Sequence, residues 1–293
     1  MEELSLSFCT GLVLSSTNLY EPYKLSRLYL HRVKVDAMFF TDFASRFPCL
    51  KDLTILHCGF DGDTRIQIAS TSFETIRFEP MSESQNEATF EVPNIHKFTY
   101  SSFGIPSKLS IKVGSSREWE WELNISLIFR PVDDKSWYLK LRNFLTKFRL
   151  SRTYLSLSLL NNRFEHDEVG IEVVAEPAVV ENLMIDTPPS SFASILYHVF
   201  GICCPKFITQ DGFSNIYNSF EVVYKRLMHR VITPNCGIPD RDLFEKFGLK
   251  KVNMEVYDMN GTNRLPDLLL KTPLDVTKPP KNNQKVRFEL IWD

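Results

Sequence analysis

Lys24-Leu25-Ser26-Arg27-Leu28-Tyr29-Leu30 and Cys49-Leu50-Lys51-Asp52-Leu53-Thr54-Ile55 carry the same LxxLxL spacing. The triplet recurs at Phe73, Ile76 and Phe78, then at Ile95, Phe98 and Tyr100, and runs backwards to Met1, Leu4 and Leu6. Start positions 1, 25, 50, 73 and 95 are separated by 24, 25, 23 and 22 residues. In a chain that is 43% hydrophobic, a single triplet arises by chance at about 8% of positions, so the spacing carries the signal rather than the triplet. Two repeats place a cysteine three residues after the last apolar position: Cys9 after Leu6 and Cys58 after Ile55. There the chain leaves a strand and turns inward, a place that suits a small, weakly polar, buried side chain.

The period lies within the ~20 to 29 residues of leucine-rich repeats, and the cysteines complete the LxxLxLxxN/C consensus. The expected fold is therefore α/β, an irregular, horseshoe-like solenoid. Its parallel strands line the concave face and its helices or loops the convex one. Asp36 caps a run in which Phe39, Phe43 and Phe47 follow at i+4 steps and Pro48 ends the pattern, which predicts a convex-side helix over 37–47. From Gly59 to Ser72 the expectation is loop and a short strand holding Ile66 and Ile68. Period-two alternation predicts strands around 95–100, 109–113, 123–127 and 154–159, and another about Val180, Leu183 and Ile185. Helices are expected from Asp134, with Trp137, Leu141, Phe144, Leu145 and Phe148 on one face, over about 190–199, and over about 215–231. Strands at 251–257 and 285–292 close the chain, with a Pro- and Asn-rich loop between them. No linker is evident, so the 293 residues read as one leucine-rich-repeat domain, regular over 1–115, with degenerate repeats and a C-terminal cap over 116–293.

Composition narrows the function. The 34 Lys and Arg against 36 Asp and Glu argue against general electrostatic binding of nucleic acid or of an acidic membrane. No stretch approaches the ~18 apolar residues of a membrane span, and Met1-Glu2-Glu3 is acidic where a secretory signal is basic, so the expectation is a cytoplasmic or nuclear protein. The six cysteines have neither CxxC pairs nor regular spacing, which points to buried thiols rather than zinc or disulfides. Glycosylation matches at Asn124 and Asn260 carry no weight without a secretory signal. No cofactor is indicated.

Candidate chemistry is sparse. Asp61-Gly62-Asp63 lacks the spaced ligands and terminal Glu of a calcium loop. His166-Asp167-Glu168 has no nucleophile motif beside it. In the repeat register Cys58 turns inward while His57 faces elsewhere, so the two do not form a thiolate pair. Lys135 to Arg152 holds Lys135, Lys140, Arg142, Lys147, Arg149 and Arg152 with no acidic residue. Lys140 with Lys147 and Arg142 with Arg149 fall on helix faces about 200° apart, so the expectation is a solvated surface rather than one anion site. A second basic group, Lys225, Arg226, His229 and Arg230, sits at the end of its expected helix, where cations suit the dipole.

Leu25 to Val33 with the Asp36 segment, Phe47 to Cys58, Val92 to Tyr100 and Phe220 to Met228 together resemble the leucine-rich-repeat region of plant F-box proteins, the substrate receptors of cullin-based ubiquitin ligases. The resemblance implies a protein-interaction module that holds its partner on the concave sheet. In that family an F-box precedes the repeats and grips the ligase adaptor. Here Met1 already occupies a repeat position, so direct adaptor binding is not expected. Pleat alternation selects Arg27, Tyr29, His31, Asp52, Thr54, Thr75, Arg77, Lys97 and Thr99 as partner-contacting residues. The competing reading, a hydrolytic enzyme with an unrecognised active site, rests only on scattered carboxylates and histidines.

Overall fold

The computed structural model describes residues 2–9, 13–14, 22–40, 43–60, 66–81, 87–106, 108–114, 121–129, 135–149, 151–159, 177–187, 189–210, 248–258 and 284–292. The fold is α/β, with a large, mostly parallel central sheet and few helices. The chain divides into two compact units, Met1–Ile128 with Leu150–Thr153, and Phe129–Arg149 with Tyr154–Asp293.

The described strands up to the end of the first long segment are β1 (Glu3–Ser7), β2 (Val13–Leu14), β3 (Arg27–His31), β4 (Lys34–Val35), β5 (Asp52–Leu56), β6 (Gly59–Phe60), β7 (Ile66–Ala69), β8 (Thr75–Glu79), β9 (Glu87–Glu91), β10 (Lys97–Phe103), β11 (Lys108–Lys112) and β12 (Glu122–Phe129). In the first unit the main sheet runs β1-β3-β5-β8-β10-β12. Its pairing is parallel and keeps the sequence register: Leu4 lies opposite Leu28, Leu28 opposite Leu53, Leu53 opposite Ile76, Ile76 opposite Phe98, and Phe98 opposite Leu123. Of these, Leu28, Leu53, Ile76, Phe98 and Leu123 are buried. Leu4, on the edge strand β1, is half-exposed.

The starts of β3, β5, β8 and β10 are each tied down by one carbonyl that serves two amides. The Ser26 carbonyl accepts from Lys51 and Asp52, that of Lys51 from Glu74 and Thr75, and that of Glu74 from His96 and Lys97. The same arrangement recurs at Glu2 with Ser26 and Arg27.

The connections match expectation in part: the short strand holding Ile66 and Ile68 and the strand at Lys108–Lys112 are present. Among the described residues, three-stranded parallel sheets, β2-β4-β6 and β11-β9-β7, stand there in place of a row of helices. The helix expected over 37–47 is, in its described residues, a 3-10 turn at Ala37–Phe40 and a four-residue helix at Phe43–Arg46. Phenylalanine is a poor helix former, and packing decides the conformation. The rings of Phe39, Phe43 and Phe47 contact one another, with centroids 4.6–6.0 Å apart, and all three are buried. Phe90 of β9 touches Phe78 and Phe98 of the main sheet, so the core lies between the two layers.

The second unit holds α1 (Lys135–Leu145), continued by a 3-10 turn to Phe148, then β13 (Arg152–Leu159) from Tyr154 onward, β14 (Ala178–Asp186), α2 (Pro189–Phe200), β15 (Cys203–Gln210), β16 (Leu249–Asp258) and β17 (Gln284–Trp292). Strand order is β13-β14-β15-β17-β16. The first two pairings are parallel, as expected of the concave-face strands, and the last two, at the C-terminal end, are antiparallel. Leu141, Phe144, Leu145 and Phe148 bury one face of α1, and Tyr138 stacks on His198 of α2 at 4.8 Å. The helix expected at 215–231, Asp61 to Asp63, the 166–168 triplet, the basic group at 225–230, Cys236 and the Pro-rich loop lie outside the described residues.

Candidate protein-binding face

On β1, β3, β5, β8, β10 and β12 alternate residues fill the core, and the others form rows across the opposite, solvent-facing side. The first row is Glu3, Arg27, Asp52, Thr75, Lys97 and Glu122. Second comes Ser5, Tyr29, Thr54, Arg77, Thr99 and Asn124. The third is Ser7, His31, Leu56 and Glu79, of which Leu56 is buried. All nine residues selected from the sequence stand in these rows, and each is exposed or half-exposed.

The first row is ionic. Arg27 pairs with Glu3 at 2.9 Å, and Lys97 approaches Glu122 at 3.9 Å. These pairs are open to water and contribute little stability. In the second row the Asn124 side-chain nitrogen is buried and, among the described residues, has no hydrogen-bond partner.

The third row ends in a feature that pleat alternation does not reveal. Phe8, Arg32 and His57, each the first residue beyond its strand, have φ of 54°, 53° and 50°, a left-handed conformation costly for residues other than glycine. The next strand holds each in place: the Phe8 amide donates to the His31 carbonyl at 2.9 Å, Arg32 to Leu56 at 2.9 Å and His57 to Glu79 at 2.7 Å. Their side chains join those of the row. Phe8 meets His31 edge-on at 4.7 Å, the Arg32 guanidinium lies 5.2 Å from the Phe8 ring centre, and His31 lies 6.2 Å from Tyr29 and 6.0 Å from His57. His57 Nε2 lies 2.9 Å from a Glu79 carboxylate oxygen, and Arg77 lies 3.7 Å from the other. The sequence signal for such turns, Gly or Asn at the αL position, is absent here, and this is why Phe8, Arg32 and His57 were not among the selected residues.

Of the cysteines expected to be buried, Cys58 and Cys203 are, whereas Cys9 and Cys204 are half-exposed and Cys49 is exposed. Cys58 is buried, its Sγ 3.6 Å from the Leu56 carbonyl, while His57 stays partly exposed; Cys9, at the equivalent place on the edge strand, is half-exposed. Burial pushes the Cys58 thiol up, outweighing backbone hydrogen bonds with Val33, Leu56 and Arg32. The thiol therefore stays protonated and is a poor nucleophile or metal ligand. In the second unit Cys203 is pushed up by burial in the same way. Among the described residues no group of three or more His, Cys, Asp or Glu is arranged to hold a metal ion, and no helix is long and apolar enough to cross a membrane. On the basic stretch, Lys140, Lys147 and Arg149 are exposed and Arg142 is half-buried. No family model, no curated protein and no solved structure matches the chain.

Proposed function

We propose that this chain is a leucine-rich-repeat solenoid whose solvent-facing strand surface holds a protein partner, as the substrate-recognition region of an F-box ubiquitin-ligase subunit does, and that it acts in the cytoplasm or nucleus. The observation that carries the reading is the unbroken register from Leu4 to Leu123 across six parallel strands. Stacked repeats bury one face of each strand and leave the other as an extended platform. That platform mixes aromatic, hydroxyl and paired ionic side chains, a composition suited to protein contact. The repeated carbonyl that serves two amides at the strand starts supports the same reading, since repeated backbone bonds reflect a repeated structural unit.

A photo-crosslinking residue placed at Thr54 or Arg77, on the platform, is compared with one at Ser110, on the three-stranded sheet behind. The expected result is one recurrent protein captured at Thr54 and Arg77 but not at Ser110, whose ubiquitination falls when the chain is depleted from cells. Equal capture at all three positions would sink the protein-binding face. Capture without any change in ubiquitination would sink the ligase role.

A further inference from the structure

The platform is uneven in charge and in apolar exposure. At the strand starts, the first row sets three carboxylates, Glu3, Asp52 and Glu122, against two cations, Arg27 and Lys97. Over the second row and the exit ends together the balance reverses. Arg32 and Arg77 face a single carboxylate, Glu79, whose oxygens are already engaged by His57 and Arg77. Arg32 is exposed, and among the described residues it makes no ion pair; its guanidinium rests on Phe8, which is itself 57% exposed. The Nε2 of His57 faces the Glu79 carboxylate, while the rings of Phe8, Tyr29 and His57 lie beside His31. Three successive left-handed residues hold this group in place. Strain kept by residues that could have been glycine marks a position where the side chain is needed.

We propose that Phe8, His31 and Arg32, at the exit ends of β1 and β3, together with Tyr29 and Arg77 of the second row, receive an acidic residue of an extended protein segment. Its carboxylate lies on Arg32 and the imidazole edge of His31, and the apolar side chain beside it rests on the Phe8 ring. Planar guanidinium donors match a carboxylate in pairs, and the exposed aromatic ring supplies apolar area at low entropic cost. A lysine-rich segment would instead meet unpaired positive charge. The inference rests on the protein-binding reading of the platform and adds which chemistry it selects.

The probe is a fluorescein-labelled peptide, Ser-Gly-Ser-Glu-Leu-Glu-Ser-Gly-Ser, with counterparts carrying Gln or Lys in place of both Glu, followed by anisotropy at ~0.15 M salt, where unspecific attraction is screened. The expected result is Glu-peptide binding about threefold to tenfold tighter than the Gln peptide, the range of an exposed charge-assisted contact. Arg32→Gln, which keeps side-chain length, should abolish that preference; Lys108→Gln, on the sheet behind, should not. Equal affinity for the Glu and Gln peptides, an unchanged preference in Arg32→Gln, or no saturable binding up to about 1 mM, the ~4 kcal/mol limit of a weak contact, would overturn the inference. Crosslinking at Thr54 and Arg77 that persists after any of these outcomes would leave the protein-binding face standing and remove only its acidic preference.

Discussion

His57 is joined to Glu79 twice, by its backbone amide to the Glu79 carbonyl at 2.7 Å and by its Nε2 to the carboxylate at 2.9 Å. The backbone bond aligns β5 with β8 at their exit ends, and the side-chain contact lies over it. Water reaches both side chains, 32% and 20% exposed, so the carboxylate contact is screened and worth little beyond the backbone bond. A double-mutant cycle of His57→Ala and Glu79→Ala, read by urea unfolding, should give a coupling of about 0.2 to 1 kcal/mol. A coupling above ~2 kcal/mol would mean the pair is the clamp and the backbone bond secondary.

Leu53 has neighbours on both sides, Leu28 and Ile76, and is fully buried. Truncation to Ala removes apolar contact and leaves a cavity that the flanking strands cannot close, so the expected loss is about 2 to 5 kcal/mol. Leu4 occupies the same place on an edge strand and is half-exposed, so Leu4→Ala should cost about 1 kcal/mol or less, in proportion to its smaller buried area. Equal losses at the two positions would contradict the difference in burial.

The regular strands were legible because each repeat buries alternate residues and its spacing is constant, so Leu28, Leu53, Ile76 and Phe98 could be aligned without knowing the connections. What joins them was less legible. β9 reads as Glu-Ala-Thr-Phe-Glu, too polar to stand out, and only its two inward residues, Ala88 and Phe90, are buried. β15 contains Pro205, which argues against a central strand because it has no amide to donate. It is tolerated because the antiparallel register with β17 runs from Phe207 to Gln210, beyond the proline, and Trp292 uses the Pro205 carbonyl at 2.7 Å instead. Of the candidate site, the rows were readable from the pleat. The left-handed residues at the row ends were not, because a backbone angle imposed by long-range pairing has no local sequence signal.

Burial pushes Tyr100, Tyr138, Cys203 and Cys58 above their ordinary pKa ranges. Below about pH 8.5, the ordinary thiol value, folded and unfolded chains both hold these protons, and their contribution to stability is complete. As pH rises past the ordinary values the unfolded chain releases protons that the folded chain retains. Each such group then lowers stability by up to about 1.4 kcal/mol per pH unit until its folded value is reached. Urea midpoints should therefore fall progressively from about pH 8.5 to 11, the span in which unfolded thiols and phenols titrate. Tyr138→Phe keeps the stack on His198 and removes one ionisation, so its decline above about pH 10 should be shallower than that of the parent chain. Identical slopes would show that the Tyr138 hydroxyl is not desolvated.

Arg32 offers a direct test of the left-handed turns. At φ 53° an alanine carries the Cβ penalty that glycine avoids, whereas on an ordinary strand alanine is the more stable of the two. Comparing Arg32→Gly with Arg32→Ala cancels the loss of the arginine side chain and its contact with Phe8. Arg32→Gly should be the more stable by about 1 kcal/mol. At Gln67, exposed on β7, the order should reverse, with Gln67→Ala ahead of Gln67→Gly by about 0.5 to 1 kcal/mol. If alanine is ahead at both positions, the turn after β3 is not left-handed in solution. The alignment of Arg32 over Phe8, on which the exit-end cluster depends, would then be lost as well.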